Sequence, residues 1–173
     1  KQIISLAINA DTSTLSGTTI AGSTSTTYTG ASEAVIAAQR LGNISSRANV
    51  GTGANVAIAG FVISGTDSKP VLIRAIGPTM SVFGFSNPLA APKLELYNSA
   101  NTVIATNTGW STASNTAAIA AASTQSGAFA LSATSADSVI FTTLAPGNYT
   151  AVVSSANGGT GIALVEVYDL SAA

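Results

Sequence analysis

Short stretches of alternating apolar and polar residues, separated by turn residues, run along most of the chain. Near the start, Ile4, Leu6 and Ile8 alternate with small or polar residues, and from residue 41 the alternation returns at regular intervals. A period of two places apolar side chains on one face of a β-strand. The pattern predicts seven or more short strands, drawn from the stretches 41–46, 55–64, 71–76, 93–97, 102–107, 138–142, 148–154 and 162–170.

The connections between these stretches carry turn residues. Residues 65–69 contain Gly and Asp and predict a hairpin between 55–64 and 71–76, and the run Asn98-Ser99-Ala100-Asn101 predicts a second hairpin. Strands and turns at this spacing indicate an all-β fold, an antiparallel β-sandwich or jelly roll.

Two other segments do not alternate between apolar and polar residues as strands do. The alanine run at 117–122 favours one or two helical turns. Residues 80–91 predict a loop, and we expect its Phe83 and Phe85 to cover one end of the core.

The first 39 residues differ from the rest and form a predicted N-terminal extension, with the sandwich domain at 40–173. Ser and Thr supply 13 of the 23 residues from 10 to 32, so this stretch is either a linker or weak edge strands. Residues 33–39 fit a short helix or a strand equally well. The extension therefore consists of an apolar strand and a hydroxyl-rich tether.

Composition limits the partners of the protein. Only 8% of the residues are charged and the net charge is −1, so copies of the chain repel each other little. The six basic residues are scattered, which argues against nucleic-acid binding. No apolar run approaches the roughly 20 residues of a membrane-spanning helix. The start carries no secretory leader pattern, and we expect a mature, exported chain.

The residue types argue against catalysis. The chain has no His and no Cys, so it lacks the usual general base, the thiolate nucleophile and the common zinc ligands. Among the carboxylates, Glu95 and Glu166 lie within apolar strands, and Arg74 lies in a similar strand. Because an unpaired charge in a sandwich is strongly destabilising, we interpret Arg74 with Glu95 and Glu166 as a structural ion pair. We expect no enzyme activity and no cofactor.

Aromatic residues raise a second possibility. Tyr97, Tyr149 and Tyr168 lie in alternating strands, where rings pack in the core with the hydroxyl at its rim. Trp110 follows a strand and Phe83 lies in the predicted loop. These two residues are the candidate ligand-contact positions.

Six segments of the sandwich region, about residues 40–170, carry a resemblance to known proteins: RLGNISSRANVGTG, VAIAGFVISG, PVLIRAIGPTM, PKLELYNSANTVIATNTGW, LAPGNYTAVV and GGTGIALVEVYDL. With them the region resembles a β-sandwich module of large secreted and cell-surface proteins of environmental bacteria. Its second half is also similar to the pre-peptidase C-terminal type of jelly roll that accompanies secreted hydrolases. The resemblance implies a secreted, extracellular or cell-surface location and an accessory or structural role without activity.

Jelly rolls of that type bind calcium through acidic residues, and here the matching segment departs from the pattern. Residues 107–110 read Asn-Thr-Gly-Trp and carry no carboxylate. Calcium sites usually include carboxylates among several oxygen ligands, so we expect no metal site there.

The apolar strand at the start needs a place to bury Ile3, Ile4, Leu6 and Ile8. Folded back on its own sheet, it adds an edge strand to a monomer. Given to a neighbouring copy, it supplies a missing strand there and builds a head-to-tail filament. We favour this second arrangement, an extracellular homopolymer resembling a pilus and built by donor-strand complementation. The alternative is a secreted binding or anchoring module that recognises polysaccharide or a cell surface.

Overall fold

The computed structural model describes residues 42–171 and, before them, the backbone of three strands at 3–9, 14–21 and 24–31. The chain divides into two compact units, one holding Lys1–Leu41 and the other Gly42–Ala172. The sequence pattern had suggested a boundary between residues 39 and 40.

The N-terminal unit contains an antiparallel sheet of β1 (Ile3–Asn9), β2 (Thr14–Ala21) and β3 (Thr24–Ala31), in that order. The hydroxyl-rich stretch thus supplies strands, which was one of its two interpretations. β1 pairs with β2 along one edge, and its other edge has no partner among the described strands. The predicted helix or strand at 33–39, and the side chains of Ile3, Ile4, Leu6 and Ile8, lie outside the described residues.

The second unit is an all-β sandwich of eight strands in two four-stranded antiparallel sheets. The first sheet has the order β5-β10-β7-β8 and the second β4-β11-β6-β9. The predicted fold class is therefore confirmed. The strands are β4 (Asn43–Val50), β5 (Ala57–Ile63), β6 (Lys69–Ile76), β7 (Pro92–Tyr97), β8 (Val103–Asn107), β9 (Ser138–Leu144), β10 (Gly147–Ser155) and β11 (Gly161–Asp169).

One predicted hairpin is wrong. β5 and β6 follow each other in the chain but lie in different sheets, since β5 pairs with β10 while β6 pairs with β11 and β9. The reason is burial: β6 is buried on both faces and takes a central position, whereas β5 has one exposed face. The hairpin between β7 and β8 does form, and Asn98 Oδ1 accepts the backbone N–H groups of Ala100 and Thr102 in its turn.

The main core lies between the two sheets. Leu94 and Leu96 of β7, Ala151 and Val153 of β10, and alternate residues of the second sheet fill it, each with little or no exposure. In β6 the alternation sends Val71, Ile73 and Ala75 into this core. Their neighbours along the strand therefore point to the opposite face of the second sheet.

That opposite face is also buried, because a third layer covers it. The layer consists of helix α1 (Thr116–Gln125) and residues 126–137, which we name the cover segment. Gly127, with φ of 71°, ends the helix in the left-handed conformation. The predicted helical turns are confirmed and extended. The second cluster contains Leu72, Trp110, Ile119, Ala122, Val139, Tyr168 and Leu170.

Residues 78–91 close one end of the sandwich, but not through Phe83 and Phe85 as predicted, since Phe83 is 55% exposed and the Phe85 ring lies against Arg47. A 3₁₀ helix, Pro78–Phe83, buries Met80, and Leu89 lies fully in the main core. Leu89 reaches it by a close backbone approach, since its N–H donates to the Ile162 carbonyl at 2.8 Å. A Cβ atom on Gly77 would lie 2.0 Å from the Leu89 carbonyl oxygen. Gly77 is therefore required for this packing.

Candidate functional site

Arg74 is a fully buried charged residue of the sandwich, with 0% exposure. Strand β6 directs its side chain to the covered face of the second sheet. The guanidinium Nη1 donates to the Phe129 carbonyl at 3.0 Å, and the guanidinium carbon lies 4.3 Å from the centre of the Phe129 ring. Arg74 therefore binds the cover segment both by a hydrogen bond and by a cation–π contact.

Glu166 of β11 lies directly opposite Arg74 in the register of the sheet. Arg74 Nε and Glu166 Oε2 are 3.1 Å apart, although the N–H does not point at the oxygen, so the contact is an ion pair without a well-formed hydrogen bond. The other carboxylate oxygen, Oε1, accepts the Tyr168 hydroxyl at 2.8 Å. Among the described residues Arg74 Nη2 has no hydrogen-bond partner.

Glu95 does not belong to this pair, and that part of the prediction is wrong. It lies on the outer face of the first sheet, where its Oε1 is 2.8 Å from Lys93 Nζ. β7 alternates, with Leu94 and Leu96 facing the core, so Glu95 must face away from the second sheet. Glu95 in LELY and Glu166 in VEVY have similar sequence neighbours. Their sequences do not show that the two strands belong to different sheets, so the prediction treated the two glutamates alike.

A second buried carboxylate, Asp137, was not singled out from the sequence. It is 0% exposed and holds the end of the cover segment. Its Oδ1 accepts the Gly77 N–H at 2.7 Å, and its Oδ2 accepts the hydroxyls of Thr79 and Ser135. Its position directly before an apolar strand was the available signal. The residue fixes the cover segment to the end of β6.

Burial and local charges shift two pKa values in this region. Burial lowers the pKa of the Arg74 guanidinium, and the negative charges of Glu166 and Asp137 oppose that shift. Burial, followed by the hydrogen bond and the charge of Glu166, raises the pKa of Tyr168 to about 12. The charged groups are shielded from solvent, so they hold the third layer in place and offer no surface for a substrate.

Trp110 occupies a packing position in the structure. It is 8% exposed, lies in the second cluster, and donates its indole N–H to the Ser132 carbonyl at 3.0 Å. It also lines a cavity of about 140 Å³ beside Ile119 and Leu131. Because most of the ring is covered, Trp110 is not an open ligand-contact surface, contrary to our expectation.

Phe83 is 55% exposed and packs edge-on against Phe129, with ring centres 5.0 Å apart. It therefore extends the cover over Arg74, and the structure does not bring it together with Trp110 in one loop site. Of the three tyrosines, Tyr168 is buried, and Tyr149 packs on the main core with its hydroxyl donating to the Ala145 carbonyl. Tyr97 is half-buried at the end of β7.

An open groove runs along one side of the sandwich, between the edge strands β8 and β9. We name it the lateral groove, and its volume is about 500 Å³. No residue in its lining carries a charge, and most offer a hydroxyl or an amide. The lining residues are Ala105, Thr106, Asn107, Thr108, Thr112, Ala113, Ser114, Asn115, Val139, Ile140, Phe141 and Thr142.

Two asparagines shape the groove. Asn107 Oδ1 accepts the backbone N–H groups of Gly109 and Val139, at 3.1 and 3.0 Å. Asn115 Nδ2 donates to the Phe141 carbonyl at 3.1 Å. Both side chains thus bind free backbone groups at the edge of β9 and leave the threonine hydroxyls as the accessible hydrogen-bonding groups. The sequence did not reveal this groove because its two walls are far apart in the chain.

Within residues 42–171 and the three N-terminal strands, no group of three or more His, Cys, Asp or Glu is placed to hold a metal ion. In the same part of the chain, no helix is long and apolar enough to cross a membrane.

Comparison with known proteins gives limited results. No protein-family model matches the chain. No curated protein matches it either. Among solved structures it is similar to the pre-peptidase C-terminal domain of collagenase from Bacillus anthracis, with 12% sequence identity, a TM-score of 0.43, and coverage of 72% of this chain and 88% of that chain. At this similarity the match carries no argument about the family or the function of the chain.

The first prediction concerns the buried ion pair. Arg74→Met leaves Glu166 buried without its cation, and we expect it to lower the free energy of unfolding by about 3–5 kcal/mol. Adding Glu166→Gln should recover part of that loss, because the uncompensated charge is removed while Tyr168 keeps an acceptor. Urea denaturation of the single and double variants measures this coupling.

Lys93→Met is the matched control, since it breaks the partly exposed pair with Glu95 and should change stability by less than about 1 kcal/mol. The interpretation fails if Arg74→Met costs no more than Lys93→Met, or if the double variant recovers nothing.

The second prediction concerns pH. The pKa of Tyr168 in the folded protein, about 12, lies above the ordinary value of 10.0, so the folded state resists deprotonation of this phenol. Its contribution to stability is complete below pH 10 and is lost as the pH rises towards 12. A tyrosinate absorbance titration should show a step near pH 12 that Tyr168→Phe removes. If the variant's curve keeps that step, the assignment to Tyr168 is wrong.

Proposed function

We propose that this chain is a secreted, non-catalytic β-sandwich module that binds a neutral polysaccharide in the lateral groove. The observation that carries the proposal is the lining of that groove, which combines hydroxyl and amide groups with no charged side chain. A neutral, polyhydroxylated ligand matches such a surface, because its hydroxyls can exchange hydrogen bonds with threonines and neither partner has to desolvate a charge.

The shape of the groove agrees with an extended ligand. It follows β8 and β9, and the five residues of β8 span about 17 Å. Phe141 adds a half-buried aromatic ring to an otherwise polar lining. An oligosaccharide segment lying along the two strands would contact both the ring and the threonine hydroxyls.

The positions of three carboxylates support a non-catalytic role. A glycosidase needs two carboxylates facing each other across the bound sugar. The lateral groove has none, while Glu166 and Asp137 are buried and Glu95 is paired with Lys93. Export is supported by the sequence resemblance to modules of secreted proteins. The module would attach the protein that contains it to a polysaccharide or to a cell surface.

The third prediction tests the groove with the double variant Thr106→Val and Thr142→Val, which removes two hydroxyls at nearly constant shape. We expect the wild-type protein to be retarded in affinity gels containing soluble β-glucan or xylan. The variant should bind on the order of tenfold more weakly, since each lost hydrogen bond is worth about 0.5–1.5 kcal/mol.

Thr150→Val, in the middle of the first sheet and outside the groove, is the control and should bind as the wild type does. The proposal is contradicted if no neutral polysaccharide retards the wild-type protein, or if the groove variant and the control bind equally.

A second candidate is the homopolymer, and one observation favours it. β1 is the edge strand of the N-terminal sheet, and its free edge has no described partner. In the sequence Ile4, Leu6 and Ile8 alternate along that strand. Such a strand can add to the sheet of a neighbouring copy through main-chain hydrogen bonds, and repetition of the contact builds a filament.

The fourth prediction tests the filament by electron microscopy of negatively stained protein. Wild-type protein should form uniform fibres. Leu6→Asp should prevent them, because the contact would bury an unpaired charge. Ser5→Asp places the same charge on the other side of the strand and should leave fibres intact. Fibres that persist after deletion of residues 1–10, or a wild-type sample without fibres, would exclude this candidate.

A further inference from the structure

The edges of the two sandwich sheets differ in how they are protected. An edge strand exposes unpaired N–H and C=O groups, and proteins prevent unwanted pairing by charges, bulges, short strands or covering side chains. Within residues 42–171 the sandwich has four edge strands: β5 and β8 in the first sheet, β4 and β9 in the second.

Three of the four carry such protection. Asn107 and Asn115 bind backbone groups of β9. β8 has only five residues, and its pairing with β7 is interrupted by a bulge between Leu96 and Tyr97. β4 carries Arg47, whose guanidinium lies 4.6 Å from the centre of the Phe85 ring.

β5 has none of these features. Its seven residues, AIAGFVI, include no charge and no proline, and they pair with β10 in an unbroken register. On its outward face Ile58 and Val62 are each 67% exposed. Between them Gly60 has open space where a side chain would stand. An uncharged, regular and apolar edge of this length is suited to pairing with another strand.

We propose that β5 pairs with β5 of a second copy of this chain, antiparallel, about a two-fold axis at Gly60. The sequence of the strand is complementary to itself in that register. On the outward face Ile58 meets Val62 of the partner copy at both ends, and the two Gly60 residues face each other. On the inward face Ala59 meets Phe61, a small residue against a large one. The two first sheets then join into one sheet of eight strands.

Charge and size indicate what kind of dimer results. The net charge of −1 and the uncharged strand leave little electrostatic repulsion between copies. Two strands meeting edge to edge bury less surface than the roughly 1,200 Å² of a standard stable interface. The dimer is therefore reversible and depends on protein concentration. Strand β5 lies on the side of the sandwich opposite the lateral groove, so the pairing leaves the proposed binding site open.

The fifth prediction uses Gly60→Cys in the full chain, which has no other cysteine. Residues facing each other in an antiparallel pair have Cα atoms about 4.5–5.5 Å apart, within the range of a disulfide. Mild oxidation should therefore give a covalent dimer on a non-reducing gel. Thr150→Cys, which lies one strand inward on the same face, is the matched control and should stay monomeric.

Ile58→Lys provides a measurement that needs no cross-link. In sedimentation equilibrium it should weaken the wild-type dimer at least tenfold, whereas Ile104→Lys, at an exposed position of β8, should not. Thermal melts check that each variant is folded.

Two results would overturn the proposal. One is equal cross-linking of the Gly60→Cys and Thr150→Cys proteins. The other is an Ile58→Lys protein that associates as strongly as the wild-type protein in sedimentation equilibrium.

Discussion

A guanidinium without solvent contact, at the centre of one sheet face, governs the architecture of the sandwich domain. Burying the charge of Arg74 is unfavourable unless partners surround it. Those partners come from separate parts of the chain: Glu166 from β11, and the carbonyl and ring of Phe129 from the cover segment. The face of the second sheet around Arg74 therefore cannot stand open to water. The third layer, with α1 and Trp110, follows from this requirement.

The buried network limits the surfaces through which the domain can contact other molecules. Arg74, Glu166 and Asp137 have little or no contact with solvent, and the third layer covers the face of the second sheet on which Arg74 lies. Among the described residues, exposed apolar side chains stay accessible on the outer face of the first sheet and on β8, as Ile58, Val62 and Ile104 show. These buried charged residues therefore stabilise the packing of the domain. The surfaces named above can form hydrogen bonds between uncharged groups and apolar contacts.

Much of the fold could be predicted from the sequence, because period-two alternation is a local property. Each predicted strand after residue 40 has a counterpart, and the pairing of a strand arginine with a strand glutamate followed from the cost of a buried charge. Sheet membership is not local. The alternation of β7 and β11 is alike, yet Glu95 and Glu166 lie on opposite sides of the molecule, and the turn after β5 crosses between sheets instead of forming a hairpin.

The candidate site was harder to predict for a related reason. Trp110 follows a strand and precedes polar residues, which is typical of an exposed loop, but a layer formed by later residues covers it. The walls of the lateral groove come from β8 and from β9 with its flanking loop, so no single stretch of sequence carries its signature. The composition of the chain, with many hydroxyl groups and few charges, agrees with the uncharged lining of the groove but does not locate it.

The edge strands on the two sides of the sandwich differ in whether side chains bind their unpaired backbone N–H and C=O groups. This difference supports assigning ligand binding to one side and pairing with a second copy to the other. On the side of β8 and β9, asparagine side chains bind the free edge of β9, which prevents strand pairing and leaves a groove. On the other side β5 is regular, uncharged and open. Had both sides been open, sheets would extend in two directions and aggregate. With one side blocked, the proposed pairing of β5 would end after two copies and would leave the lateral groove of each copy open.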